Sequence, residues 1–370
     1  MNRWLDTPLT EALGCRYPIV QTAMGWVADA NLVIATTQAG GFGFLAGATI
    51  AADELEGEIR KVIDVTGGSN FGLNFHMFQD NAAQCVDLAI QYRLRAVSYG
   101  RGPDKHTIAR FKAANVLCIP TVGALKHALK AVELGADLIT VQGGEGGGHT
   151  GGVPSSILLP QVLAAVKVPV IAAGGYATGR GLASVLAAGG AGIAMGTRFL
   201  MTRESPTPST TLERYLKVND PQQVRVTTAV DGMRHRMIEN RFINHLEQAG
   251  PFGRLRIALG SAWQWKQQTG MSLGHMASVF IRAVREDAST LSQVVMAANQ
   301  PVLLQRSMVD GAPDEGILPS GQVAAAIGEL LSCREVIEGI ASEAQHCLDA
   351  LLARSQPSPS NHPASIGEPL

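Results

Sequence analysis

Eight short apolar segments, rich in β-branched residues, recur through the first 200 residues, and glycine, amide and hydroxyl residues gather where they end. They are Pro18–Gly25, Phe42–Leu45, Asn70–His76, Arg95–Tyr99, Val116–Pro120, Leu138–Gln142, Pro169–Ala173 and Gly192–Gly196. Stretches with helical periodicity separate most of them, such as 125–134 and 179–188. Strands that alternate with short helices build right-handed βαβ units and a parallel sheet. Eight such units predict a closed (β/α)8 TIM barrel, whose active site lies at the carboxyl ends of the strands. Here those ends read Ala23-Met24-Gly25, Asn74, Gln142-Gly143, Gly174-Gly175 and Gly196-Thr197. Small residues and amides on one rim leave room for a flat cofactor that carries a phosphate.

The rest of the chain is organised around that barrel. Residues 1–211 are expected to form it and 212–306 to form a mainly helical insertion over its mouth, with helix-like stretches at 241–249 and 276–286. Residues 307–354 then return to the barrel, with a last helix beginning near Ser320, and 355–370 read as a tail too polar to bury. Hydrophobic residues make up 46% of the 370 and charged residues 16%, enough apolar material for a large core. The net charge of −1 gives no electrostatic footprint for nucleic acid or an anionic membrane. No apolar run reaches the roughly 20 residues of a membrane helix. The five cysteines have neither metal spacing nor a paired framework and read as reduced thiols. Met1-Asn-Arg-Trp-Leu is too short and polar for a signal segment, so a cytoplasmic location is expected.

Two glycine-rich stretches carry the chemistry. Gln142-Gly-Gly-Glu145-Gly-Gly147-Gly-His149-Thr-Gly-Gly152 follows the sixth segment. A loop this bare exposes backbone amides and makes space for a planar ligand. Its titratable groups are Glu145 and His149, and an imidazole exchanges protons near neutral pH. The bland reading, a flexible linker, fits poorly inside a barrel unit without serine. Gly174-Gly175 and Gly196-Thr197 end the seventh and eighth segments, where many barrels bind a phosphate through backbone amides. Gly179 and Gly181 are explained by tight packing. Arg198 is either a phosphate contact or a structural ion pair.

Taken together, Gln21–Trp26, Gln142–Gly151, Ile171–Gly175 and Met195–Phe199 resemble the nitronate monooxygenase (2-nitropropane dioxygenase) family of FMN-dependent barrels, over about residues 8–340. That family also includes flavin-dependent enoyl reductases and NADH:quinone reductases. The resemblance implies FMN bound without a covalent link. It places Ala23, Met24 and Gly25 beside the flavin and Asn74 and Gln142 on its polar edge. Gly175, Gly196 and Thr197 would hold the phosphate, Gly147 and Gly174 would also bind the cofactor, and His149 matches the histidine placed near the reactive face. Thr227–Arg236, Ser292–Pro301 and the triple-glycine form of the loop are similar to the IpdC-like branch, which acts on CoA thioesters in bacterial steroid C/D-ring degradation.

The insertion is locally basic, which suits the phosphates of CoA. Arg234 and Arg236, with Glu145, are therefore the expected substrate-binding residues. Trp263 and Trp265 read as packing residues or as a stacking platform. The function expected is an FMN-dependent oxidoreductase that dehydrogenates or reduces a C–C bond of a CoA-thioester ring acid. The alternatives are oxidation of alkyl nitronates with O2, an NAD(P)H-dependent enoyl or quinone reductase, and a flavin-free phosphate-binding barrel. The expected partner is a small-molecule substrate, with no nucleic acid, no membrane and no metal, and a homo-oligomer is compatible with the chain.

Overall fold

The computed structural model describes residues 4–77, 79–100, 102–250 and 299–355, together with Gly253 and Gly260. The expected helix at 276–286, Trp263, Trp265 and the cations at 254, 256, 266, 282 and 285 lie outside the described residues. Eight parallel strands close into a barrel: β1 (Ile19–Gln21), β2 (Phe42–Ala46), β3 (Gly72–Asn74), β4 (Ala96–Tyr99), β5 (Leu117–Val122), β6 (Ile139–Gln142), β8 (Val170–Ala173) and β9 (Gly192–Met195). Closure is made by β1 on β9, with Ile19 opposite Ile193 and Gln21 opposite Met195. The fold is a (β/α)8 TIM barrel. Each of the eight segments read from the sequence overlaps one of these strands, with β2 and β5 running one and two residues further than read.

Side chains fill the barrel. Val20, Phe42, Phe44, Ile119 and Ile171 pack with Leu9 and Leu13 of helix Pro8–Leu13, which plugs the amino-terminal end. The Phe42 and Phe44 rings meet edge to face at 5.2 Å. Toward the other rim the same cluster narrows to Ala173 and Ala194. A barrel packed with large residues below and alanines above leaves its open space at the carboxyl ends. The five cysteines are unpaired, and four of them are buried. Among the described residues no helix is long and apolar enough to cross a membrane.

The eighth unit departs from the regular pattern. Its strand β9 ends at Met195, but the helix that fills its place in the outer ring is Cys333–Ser355. That helix packs on Gly179–Ala187 and Ala30–Gln38, the helices on either side. Val336, Ile337, Ile340, Ala341, Ala344 and Leu348 form its buried face, a helical repeat of three and four residues. The last helix does not begin near Ser320 as expected. Residues 322–326 form a 3-10 turn instead, because the backbone there is committed to the barrel rim. The Gly321 amide donates to Thr197 Oγ1 at 2.9 Å and the Gln322 amide to the Glu145 carbonyl at 3.0 Å.

The chain between β9 and that helix also carries more strand than expected. β10 (Val224–Thr227) and β11 (His235–Ile238) form an antiparallel pair. β11 continues onto β7 (Gly148–His149), inside the glycine-rich loop, with His149 opposite His235. This three-stranded sheet stands over the barrel mouth and fixes the loop that the sequence reading left open.

Candidate active site

A cavity of about 1230 Å³ opens at the carboxyl ends of the barrel strands. Ala23, Met24 and Gly25 lie on its β1 side, Asn74 at the end of β3 and Gln142 at the end of β6. Gly174, Gly175, Gly196 and Thr197 line the side formed by β8 and β9, and Gly147 and His149 line the loop side. The structure therefore brings together the residues that the sequence assigns to a cofactor and a base. Helix Asn299–Met308 adds Gln300, Leu304 and Met308 to the wall.

The polar residues are held by their own surroundings. Asn74 Nδ2 donates to the Ser98 carbonyl at 3.1 Å and to Ser98 Oγ at 2.9 Å. Gln142 Nε2 donates to the His149 carbonyl at 3.0 Å. Both amides thus spend their donors on the scaffold and keep a carbonyl oxygen as acceptor. Gly175 has φ +84°, a conformation that side chains rarely adopt. A β-carbon there would be 3.4 Å from Glu145 Cβ, so the cradle is smooth rather than full. These features fit a flavin, which needs a flat floor, acceptors at its polar edge and a glycine-lined phosphate end.

The glycine-rich loop is not free backbone. The amides of Gly143, Gly144, Gly146 and Thr150 donate to Ala173, Val153, Gly143 and Arg234 carbonyls. A β-carbon at Gly147 would lie 2.5 Å from the Ser320 carbonyl carbon, so this glycine is required by the strap that crosses it. Its place in the cavity wall follows from packing as much as from a ligand.

Two of the three expected substrate contacts do not reach the cavity. Both Glu145 carboxylate oxygens accept from the Ser155 amide at 3.0 Å, at the start of helix Ser155–Ala165. Glu145 is a cap for that helix, because a carboxylate offsets the unpaired amides of a first turn. Arg236 Nε donates to the Gly144 carbonyl at 2.9 Å and Nη1 to the Val224 carbonyl at 3.0 Å. It ties the loop to β10. Arg198, left open by the sequence, donates through Nη2 to the Met201 and Glu329 carbonyls and is structural. Arg234 is different. It is exposed and lines the cavity, and its guanidinium makes no hydrogen bond or ion pair with the described residues.

The sequence reading missed the partners of His149. Its Nε2 lies 2.6 Å from Asp231 Oδ2, and its ring stacks on that of His235 at 4.5 Å between centroids and 15° between planes. The Asp231 side chain is 1% exposed, and its Oδ1 accepts from the Met233 amide at 2.9 Å. Burial pushes this carboxyl up, but the hydrogen bond and charge of His149 and the Met233 amide outweigh it, so Asp231 sits below the usual carboxylate range. Burial, reinforced by the neighbouring His149, pulls His235 down from 6.5 to about 4, so its ring is neutral at physiological pH. A local signal for this arrangement was present. Asp231-Gly232 stands between the short runs Val224–Thr227 and His235–Ile238, and Asp-Gly is a hairpin dipeptide; Gly232 has φ +82°.

Comparison with known proteins agrees with this geometry. Residues 6–87 and 80–343 match the family model described as nitronate monooxygenase. The chain is 44% identical over 347 residues to the (3aS,4S,5R,7aS)-5-hydroxy-7a-methyl-1-oxo-octahydro-1H-indene-4-carboxyl-CoA dehydrogenase of Rhodococcus jostii (strain RHA1), covering 94% of this chain and 98% of that protein. The enzyme of the same name from Mycobacterium tuberculosis (strain ATCC 25618 / H37Rv) is 46% identical over 343 residues, covering 92% and 96%. Among solved structures, FabK from Thermotoga maritima superposes with a TM-score of 0.77 at 27% identity, covering 94% of this chain and 99% of that one. Nitroalkane oxidase from Streptomyces ansochromogenes superposes with a TM-score of 0.73 at 27% identity, covering 93% and 99%.

Proposed function

The chain belongs to the nitronate monooxygenase family and is an oxidoreductase with a flavin cofactor, and from that premise we propose that it is an FMN-dependent dehydrogenase of a CoA-thioester ring acid in steroid breakdown. The observation that carries the reading is the size of the cavity. At about 1230 Å³ it exceeds the roughly 300–1,000 Å³ of a single small-molecule site. It accommodates a cofactor and a fused-ring acyl group side by side. The names of the relatives at 44% and 46% identity supply the thioester chemistry. The choice of FMN rests on the rim of Gly175, Gly196 and Thr197, the position at which many barrels hold one phosphate.

When bound, the flavin supplies a two-electron acceptor. This chain's own residues do the rest. Asn74 and Gln142 offer acceptors at the end of β3 and β6. His149, on the cavity wall, takes the proton α to the thioester carbonyl. Arg234 at the rim meets a CoA phosphate. Gln300, Leu304 and Met308 shield the reacting face from water.

The test is anaerobic reduction of the purified, flavin-loaded protein. A steroid-derived CoA thioester is expected to bleach the visible flavin band, and NADH and an alkyl nitronate are not. Bleaching by the nitronate with steady oxygen uptake, and none by the thioester, assigns nitronate oxidation instead.

A further inference from the structure

His149 alone would be an exposed imidazole on a loop, free to turn and to carry its proton on either nitrogen. The structure removes both freedoms. Asp231 is a buried carboxylate whose Oδ2 lies 2.6 Å from His149 Nε2. A carboxylate can only accept a hydrogen bond, so Nε2 must carry the hydrogen and Nδ1 must carry the lone pair. Nδ1 makes no hydrogen bond with the described residues, and the ring lines the cavity. On the other side, the buried His235 ring lies flat against the His149 ring at 4.5 Å. The stack is built in by register, because His149 and His235 are directly opposite on β7 and β11.

The same three side chains offer ligand atoms within 4.8 Å of one another, which invites a metal. Ring geometry argues against it. The lone pairs of an imidazole lie in its plane, and planes only 15° apart in a face-to-face stack run alongside each other instead of converging on one ion.

We propose that Asp231 is the positioning residue of the reaction: it fixes His149 in the tautomer and orientation that present Nδ1 to the substrate, with His235 as the platform that holds the ring plane. The assignment of the base rests on the dehydrogenase reading, whereas the tautomer does not. In the proton step the Cα–H bond breaks and the proton bonds to His149 Nδ1. The Cα–H electron pair passes into the forming Cα=Cβ bond as the β-hydrogen departs with its own pair, for which a bound flavin would supply the two-electron acceptor. His149 then carries a hydrogen on each nitrogen, and its positive charge is balanced by the Asp231 carboxylate it already touches. Without that carboxylate the charge would form against the neutral, buried His235.

The experiment has two arms. Nitrogen NMR of the histidine-labelled, flavin-loaded protein reads the tautomer, with His149 identified by the signals lost in His149→Gln. The parent is expected to show a protonated Nε2 and a bare Nδ1, and Asp231→Asn, whose amide can donate to Nε2, is expected to reverse them. In the second arm Asp231→Asn lowers kcat about 10²–10⁴-fold, with flavin content and KM little changed, and Asp231→Glu restores part of the loss. A parent spectrum with the hydrogen on Nδ1 overturns the proposal, whatever the variants do. An Asp231→Asn protein that folds, keeps the parental tautomer and turns over at the parental rate also overturns it. If Asp231→Asn does not fold, the parent spectrum and Asp231→Glu decide. The expected tautomer without any thioester turnover leaves Asp231 in its role and removes the dehydrogenase reading.

Discussion

At the scale of single residues, two neighbouring arginines at the mouth differ: Arg236 holds the protein together, and Arg234 is unpaired among the described residues. Arg236 is consumed by the Gly144 and Val224 carbonyls, and Arg234, two positions away, points its surface at the cavity rim. The difference is one of position: Arg236 lies within β11, between the Gly144 and Val224 carbonyls, whereas Arg234 precedes the strand. Arg234→Ala is expected to raise KM for a CoA thioester several-fold, leaving KM for a small nitronate or the free acid unchanged, because a remote handle contributes to capture. Equal effects on large and small substrates in steady-state kinetics would contradict the handle. Gly175→Leu is expected to lose flavin, read as the ratio of visible to protein absorbance, since its φ of +84° is a conformation a branched side chain rarely adopts and the residue lines the cavity wall. Full retention would remove Gly175 from the phosphate end.

His235 makes a prediction about acid stability. Its folded value of about 4 lies below the ordinary 6.5, so the folded state binds fewer protons than the unfolded chain between those limits. Stability is therefore complete above 6.5 and falls as pH drops toward 4, and Asp231, also held low, adds to the loss further down. His235→Phe, which keeps a ring in the stack, is expected to flatten the denaturation midpoint across that window. An unchanged slope would mean that another group sets the acid limb. His149 stands out through its bare loop, but Asp231, which lies 82 positions from it, does not. A pairing that long is made by the sheet and not by spacing.

Among elements, the barrel strands were legible because each is apolar on both faces and ends in glycine or an amide. The three-stranded sheet over the mouth was not. β7 is only Gly148–His149, and glycine and histidine carry little strand preference. It exists because β11 supplies partners for its backbone. The last helix was misplaced for a related reason. Its true start is marked by Ser332 and Glu335, a capping box in which the Glu335 amide donates to Ser332 Oγ at 3.2 Å and the Ser332 amide to Glu335 Oε2 at 2.7 Å. The alanine-rich run just before it looked more helical, but it is bound to the rim through Gly321 and Gln322. Ser332→Ala is expected to destabilise the protein by about 0.5–2 kcal/mol, measured by chemical denaturation, with flavin affinity unaffected. No change in the midpoint would show that Glu204, whose carboxylate accepts from the Cys333 amide at 3.0 Å, caps the helix sufficiently.

For the whole molecule, one open rim on a packed barrel accounts for the large site at the carboxyl ends of the strands. Acid release of the cofactor from purified protein is expected to yield FMN, identified by chromatographic mobility against standards, and recovery of FAD would contradict the one-phosphate rim. The barrel and its rim residues were readable from strand ends alone, whereas the cover was not, because residues 197–331 follow no repeat of the βα unit. That interruption has a consequence for how the protein is made. All eight strands have been synthesised by residue 195, yet the helix that seals the wall between the first and seventh outer helices begins at residue 333. At ordinary synthesis speeds of about 5–20 residues per second, the gap lasts on the order of ten seconds. For that interval the nascent barrel presents an unsealed apolar seam along 30–38 and 179–187, and a chaperone has its natural foothold there.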